Sequence, residues 1–331
     1  MIIKKTEKEF KELLSRWSLE NLVFLPDTRG RISLFEEFGE FDLASLPLWR
    51  GVKEFLLPAR GFAAGGSSLL EKPVIIVGAR SCDLRALAGV LDRVFLENEP
   101  ADAVYGSLRD NLTIVTADCA SPADTCFCIQ TGGSPYVKQG SGINLSILKN
   151  GEFLIEFSGE RAVELLGDSE RSGPGPGDIL QRDNIRDTAS RKVRGNFGVS
   201  DCETSAGKKV LENDTAELWG AVSGDCIRCG GCCFCCPTCY CALLNESTSG
   251  KKFTRALQWD SCQFKGYASS PGRGNPGKEL WKSFRHRYLC KFYLMREEFG
   301  IPGCTGCGRC VQVCPGRIDM RDTLKEIYDR E

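Results

Sequence analysis

The sequence predicts an α/β (α+β) N-terminal domain followed by a mostly α-helical, cysteine-rich domain. Three observations predict it. Two nearly continuous apolar runs, Pro73-Val74-Ile75-Ile76-Val77-Gly78 and Leu112-Thr113-Ile114-Val115-Thr116, flank a segment with helical spacing, the pattern of strands buried on both faces. Beyond them one short cysteine pattern occurs twice with the same spacing. The long insert between its copies carries Trp281, Phe284, Tyr288, Phe292 and Met295 at helical steps. The boundary falls near Trp219-Gly220, which divides the chain into 1–219 and 220–331.

Taken in order, Thr6 to Leu19 reads as an amphipathic packing helix, with Phe10, Leu13, Leu14 and Trp17 on one face. Leu22 to Leu25 reads as a strand ended by Pro26-Asp27, and Phe41 to Gly61 is mixed, punctuated by Pro47 and Pro58. The glycine-rich stretch Arg60 to Gly66 lacks a strand-to-helix frame and a Gly-Lys-Ser/Thr ending, so it reads as a plain loop. After the first apolar run, Asp83 is a good N-cap for a helix over Leu84 to Phe95. Strand, helix and strand then imply a parallel pair with a right-handed crossover. Asn150-Gly151 between apolar runs predicts a hairpin over Leu145 to Phe157. Ser172 to Gly177 reads as a loop, Gln181 to Thr204 as polar and charged sequence, and Lys208 to Leu218 as a helix. In the second domain, helices are expected over Lys278 to Phe299 and Arg321 to Tyr328.

Bulk properties exclude several classes of function. A net charge of −1 over 331 residues gives no electrostatic case for nucleic acid or an anionic membrane. There is no apolar run long enough to span a bilayer and no signal peptide pattern. No Gly-x-Gly-x-x-Gly fingerprint is present, so neither flavin nor nicotinamide is expected on this chain. Nineteen cysteines without an export signal point to metal or cluster ligation in a reducing cytoplasm, that of an anaerobe. A single histidine, His286, leaves cysteine as the main soft ligand. It sits in a basic helix segment that reads as solvated surface, as a counter-charge to clusters, or as a face for a partner.

The doubled pattern is Cys226-x-x-Cys229-x-x-Cys232-x-x-x-Cys236-Pro237 and Cys304-x-x-Cys307-x-x-Cys310-x-x-x-Cys314-Pro315. This is the two-cluster ferredoxin run, in which three cysteines wrap one cluster and the fourth crosses to the other. Cross-ligation assigns Cys226, Cys229, Cys232 and Cys314 to one [4Fe–4S] cluster and Cys304, Cys307, Cys310 and Cys236 to a second. Gly230, Gly231, Gly306 and Gly308 let the backbone approach and donate N–H groups to sulfur. Two structural zinc sites are the alternative, but they leave the third cysteine and the Cys-Pro ending unexplained. The first run is overfull. Cys233, Cys235, Cys239 and Cys241, with Cys262, read as packed thiols, as an extra redox site or as competing ligands, whereas Cys202 and Cys290 read as packing. In the first domain Cys82 and Cys119 lie in turns at one carboxyl edge, and Cys126 and Cys128 follow in a short loop. Together they are a candidate third cluster, with Asp83 as a substitute ligand; scattered core cysteines are the alternative.

Val77 to Leu87, with Gly78, Arg80, Cys82, Asp83 and Leu84, resembles the Gly-x-Arg-x-Cys-Asp-Leu-x-Ala-Leu motif of a known family. Asp124 to Cys128, Cys236 to Cys241, Trp259 to Cys262 and Cys307 to Cys310 resemble its other motifs. The family comprises the iron–sulfur β subunits of sulfhydrogenases and the A subunit of anaerobic sulfite reductase. The resemblance runs from about Lys53 to Asp319 and departs from the pattern at Cys233-Phe234-Cys235. It implies a helical ferredoxin domain behind the α/β domain. It also implies an electron-transfer subunit that relays electrons between a flavoprotein subunit and a catalytic redox subunit, hydrogenase, sulfite reductase or heterodisulfide reductase in type. The competing expectation is a cluster or thiol enzyme with its own substrate site at the extra cysteines.

Overall fold

The computed structural model describes residues 1–28, 30–35, 41–43, 51–58, 60–62, 72–138, 142–167, 172–199, 202–250, 252–269 and 277–329. Its strands are β1 (Ile2–Lys5), β2 (Leu22–Pro26), β3 (Ile32–Leu34), β4 (Arg60–Phe62), β5 (Val74–Ala79), β6 (Leu112–Ala117), β7 (Ile143–Ile147), β8 (Phe153–Phe157), β9 (Ala242–Ser249) and β10 (Lys252–Trp259). Seven of them form a mixed sheet in the order β1-β8-β7-β6-β5-β2-β3. The apolar runs are its centre. All six residues of β5 are buried, and β5 pairs in parallel with β6 on one side and β2 on the other. The hairpin is present as antiparallel β7 and β8, and β1 and β3 add antiparallel edges.

Thr6 opens the helix Glu7–Glu20 with a capping box: its hydroxyl accepts from the Glu9 N–H, and the Glu9 carboxylate accepts from the Thr6 N–H. Phe10, Leu13, Leu14 and Trp17 are buried with Val23, Val77, Val115 and Ile155, so this helix covers one face of the sheet. The opposite face buries Val74, Ile76, Leu87, Val90 and Leu91 together with Met295 and Phe299 from the far end of the chain. A third core gathers Trp219, Phe284, Phe292 and Leu324 around Phe127 of the first half. The two halves therefore share their cores.

Several expectations are corrected. Asp83 is not the N-cap: the helix begins at Ser81 with Arg80 at the cap, and the Asp83 carboxylate accepts the Arg80 N–H at 3.2 Å. That helix, Ser81–Ala86, runs on through a π turn over Leu87–Leu91 into Asp92–Leu96. Pro176 ends the supposed loop early, because it is the first residue of the helix Pro176–Gly195, where its fixed φ and missing N–H cost nothing. Only Ala189 and Val193 of that helix are buried, so apolar periodicity could not reveal it. Polar bonds hold it instead, with Arg186 reaching Asp118 at 2.7 Å and Glu156 at 2.6 Å. The helix expected over Lys208 to Leu218 is two, Cys202–Glu212 and Ala216–Ser223, and the second passes through Trp219-Gly220.

The glycine-rich stretch is not all loop: Arg60–Phe62 is β4, antiparallel to β10, while 63–66 lie outside the described residues, as do 44–50 of the mixed stretch. The insert between the cysteine runs contains the hairpin β9–β10 as well as the expected helix, which runs through Leu280–Tyr288, Leu289–Leu294 and Met295–Phe299. The hairpin was hidden because Asn245 to Ser249 are polar and its apolar Leu243, Leu244 and Phe253 face outward. The last helix, Met320–Tyr328, matches expectation. Among the described residues no helix is long and apolar enough to cross a membrane.

Phe127 is fully buried and packs edge-on against Phe197. Phe127→Ala should cost about 3–5 kcal/mol. We expect an apparent thermal midpoint several degrees below the parent in a melting scan; an unchanged midpoint would show that the shared core bears no load there.

Candidate metal centres

The second run is wrapped tightly against the first half of the chain. Gly306 and Gly308 have φ of +64° and +71°, a region that L side chains rarely adopt. A Cβ at Gly306 would stand 2.5 Å from the Cys128 Cα, and one at Gly308 would collide with Thr125. The Phe127 N–H donates to the Gly306 carbonyl at 2.8 Å. In this wrap the Gly306 N–H donates to Cys304 Sγ at 3.4 Å, and the Arg309 N–H bonds Cys307. Cys304 and Cys310 lie within one another's field, and both face Cys307 and Cys236. Burial pushes the thiols of Cys304 and Cys310 up to about 12. Cys236 rises to about 11, first through its hydrogen bond with Cys239 and then through burial.

The first run lies beside the end of the second. Cys226, Cys229, Cys232 and Cys314 line one cavity of about 50 Å³, with Cys310 on its wall. The field of Cys314 falls on Cys226, whose sulfur accepts the Arg228 N–H. Ile318 donates its N–H to Cys314 Sγ at 3.4 Å. Cys229 is exposed, and its neighbour Ile227 is 69% exposed, so this centre opens at the surface.

The four N-terminal cysteines converge. The Cys82 and Cys126 thiols both feel Cys119 and Cys307, and Cys128 feels Cys119, Cys126 and Cys307. Cys126 Sγ lies 3.7 Å from the Cys307 carbonyl. Burial raises all four thiols, Cys126 to about 12. Asp83, expected as a substitute ligand, is committed elsewhere: its two oxygens accept from the Arg309 guanidinium at 2.7 and 2.8 Å, both side chains being 1% exposed.

Buried cations among the thiols were missed in the sequence. Arg287 reaches Cys233 Sγ at 3.5 Å and Cys239 Sγ at 3.6 Å. Burial opposes its charge, but Cys232, Cys233, Cys239 and Cys310 outweigh that and push its pKa well up. Lys291 is pushed up in the same way by Cys236, Cys239 and Cys290 against its burial, and it donates to Thr238 Oγ1 at 2.7 Å. Lys53 crosses from the first half to donate to the carbonyls of Phe234, Cys236 and Cys239 at 3.1, 2.9 and 3.1 Å. The basic segment around His286 was the one signal available. Its Arg287 turns inward, while Arg285 bonds the Val210, Leu211 and Asn213 carbonyls.

The extra thiols form their own group. Cys233 and Cys262 stand 3.7 Å apart at their sulfurs. A bond from Cys232 pushes Cys233 up, but bonds with Cys239 and Cys262 and the Arg287 charge prevail, and its pKa falls to about 7. Cys262 is raised, first by its hydrogen bond with Cys233 and then by burial. Cys241 receives the Tyr267 hydroxyl at 3.5 Å, and Cys235 faces Cys310, Cys236 and Cys307. Cys202 is packed in the third core, and Cys290 packs against the second.

This donor set suits cubane clusters. Soft sulfur donors receive backbone N–H bonds, and buried thiols keep their protons unless a metal takes the lone pair. Among the described residues no three His, Cys, Asp or Glu side chains converge closely enough for a single ion. A cube bound through its corners asks its ligands to surround a larger body.

Residues 225–318 match the family model of the 4Fe-4S dicluster domain. The chain is 27% identical to sulfhydrogenase 2 subunit beta of Pyrococcus furiosus, an alignment covering 99% of this chain and 98% of that protein. No solved structure matches significantly.

Arg309→Met should leave the Asp83 carboxylate buried without its partner and cost about 3–5 kcal/mol. Adding Asp83→Leu should restore much of that, giving a strong coupling in a double-mutant cycle of thermal or denaturant midpoints. Additive effects would reject the pair as a clamp between the halves.

Proposed function

We propose that this chain, which carries a match to the 4Fe-4S dicluster domain and is similar over nearly its whole length to a sulfhydrogenase beta subunit, is an electron-transfer subunit that relays electrons between a flavoprotein subunit and a catalytic redox subunit of a hetero-oligomeric complex. The complex works in the cytoplasm of an anaerobe. Residues 220–331 act as the helical dicluster ferredoxin domain and 1–219 as the α/β domain that carries a third cluster.

The crossing of the two runs carries this reading. Cys314 stands with Cys226 at a cavity also lined by Cys229 and Cys232, and Cys236 stands with Cys304, Cys307 and Cys310. That interchange is the arrangement cross-ligation in two-cluster ferredoxins would need, and it supports this reading. Cys226, Cys229, Cys232 and Cys314 would hold one [4Fe–4S] cluster, and Cys304, Cys307, Cys310 and Cys236 the other. Cys82, Cys119, Cys126 and Cys128 would hold the third. Bound clusters supply one-electron redox chemistry. The chain supplies thiolates, N–H donors and buried cations. The second run would join the other two groups: Cys307 faces the N-terminal group, and Cys310 faces the cavity of the first run. The exposed edge at Ile227 and Cys229 is where an electron would pass to a partner.

Iron analysis tests the count. About twelve irons per anaerobically purified chain are expected, at about four per cube, and about eight would limit it to two clusters. Cys126→Ser with Cys128→Ser should remove about four irons and one EPR signal, and an unchanged count would reject the third centre. Crossing predicts that Cys314→Ser alters the same EPR signal as Cys226→Ser, and Cys236→Ser the same one as Cys304→Ser. Signals grouped by run instead would overturn the assignment.

A further inference from the structure

Outside the proposed cluster ligands, one thiol pair stands apart from packing. Cys233 and Cys262, 29 residues apart in sequence, are buried with their sulfurs 3.7 Å from one another. Each sulfur also takes a polar partner: Arg287 Nη1 lies 3.5 Å from Cys233, and Gln263 Nε2 lies 3.4 Å from Cys262. The sulfurs need close by less than ~2 Å to reach a disulfide length of about 2.05 Å.

The pair also has a way out. Cys262 lies on the wall of a pocket of about 400 Å³, with Tyr267, Trp281, Lys282 and His286 around it. That volume falls within the range of small-molecule sites. A packing cysteine needs neither a neighbouring thiol nor a pocket of this kind.

We propose that Cys233 and Cys262 are a thiol–disulfide exchange site for low-molecular-weight disulfides that enter this pocket. Cys262 attacks one sulfur of the incoming disulfide. The substrate S–S bond breaks, the first half leaves with the Cys262 proton as a thiol, and a mixed disulfide remains on Cys262. Cys233 then attacks Cys262 Sγ and its proton leaves with the second half. The chain ends as the Cys233–Cys262 disulfide, oxidised by two electrons, and the substrate ends as two thiols. A second dithiol reverses the sequence. No step needs a cluster, so the exchange stands or falls separately from the relay.

The test uses anaerobically purified holoprotein, treated with hydroxyethyl disulfide, alkylated and mapped by peptide mass. The parent should give the Cys233–Cys262 linked peptide, reversed by dithiothreitol, with its iron retained. Cys233→Ser should trap about one hydroxyethyl adduct per chain on Cys262, because the resolving thiol is gone. Cys262→Ser should give at least about tenfold less adduct at Cys233, which lacks the pocket. No linked peptide in the parent, a result that needs no variant, would overturn the proposal. So would the loss of about four irons in either variant, which would make the thiol a cluster ligand.

Discussion

The buried pair of Asp83 and Arg309 is the constraint on which the arrangement of the sites depends. Neither charge is tolerable alone in an interior that excludes water, since the desolvation of an unpaired ion costs several kcal/mol. Their two parallel bonds, at 2.7 and 2.8 Å, admit one relative placement of the turn after β5 and the second cysteine run. Once that register is set, Cys82 and Cys307 fall within each other's field, and Gly306 and Gly308 meet the segment from Thr125 to Cys128. Ion pairs of this kind add little net stability against an apolar substitute, but they specify geometry. Here the geometry sets the N-terminal cysteines beside the second run, and the second run beside the first.

A second constraint is charge. Many thiolates gathered in a dry interior would repel one another strongly. Arg287, Lys291 and Lys53, each buried, stand among the sulfurs and carbonyls of the first run and its continuation. Backbone N–H groups add fixed dipoles at Cys226, Cys304, Cys307 and Cys314. Donors to sulfur raise the potential of a bound cluster, and cations do the same by favouring the more negative state. The Lys53 contribution comes from the first half of the chain, so the electrostatic setting of the first cysteine run depends on both halves.

Local signals in the sequence carried much of the fold. The helix at Glu7, the parallel strands β5 and β6, the β7–β8 hairpin and the last helix all announce themselves by periodicity or turn chemistry. The helix Pro176–Gly195 did not, because ion pairs hold it rather than an apolar stripe. The hairpin β9–β10 did not, because its polar, outward-facing residues lack the alternation of a half-buried strand.

For the candidate centres, the doubled spacing by itself determined which cysteines form the two runs, because ligand spacing is a local property of the chain. It also determined that the first run holds more thiols than two clusters need. Tertiary structure decided what those thiols meet. It gathered Cys82, Cys119, Cys126 and Cys128, which share no spacing, and it turned Asp83 away from a ligand's role towards Arg309. It set Cys262 against Cys233 and drew Lys53 across to the loop of Cys236. These pairings join residues 29 to 226 positions apart. Only the packing of the two halves on shared cores brings such distant positions together, and no local pattern encodes it.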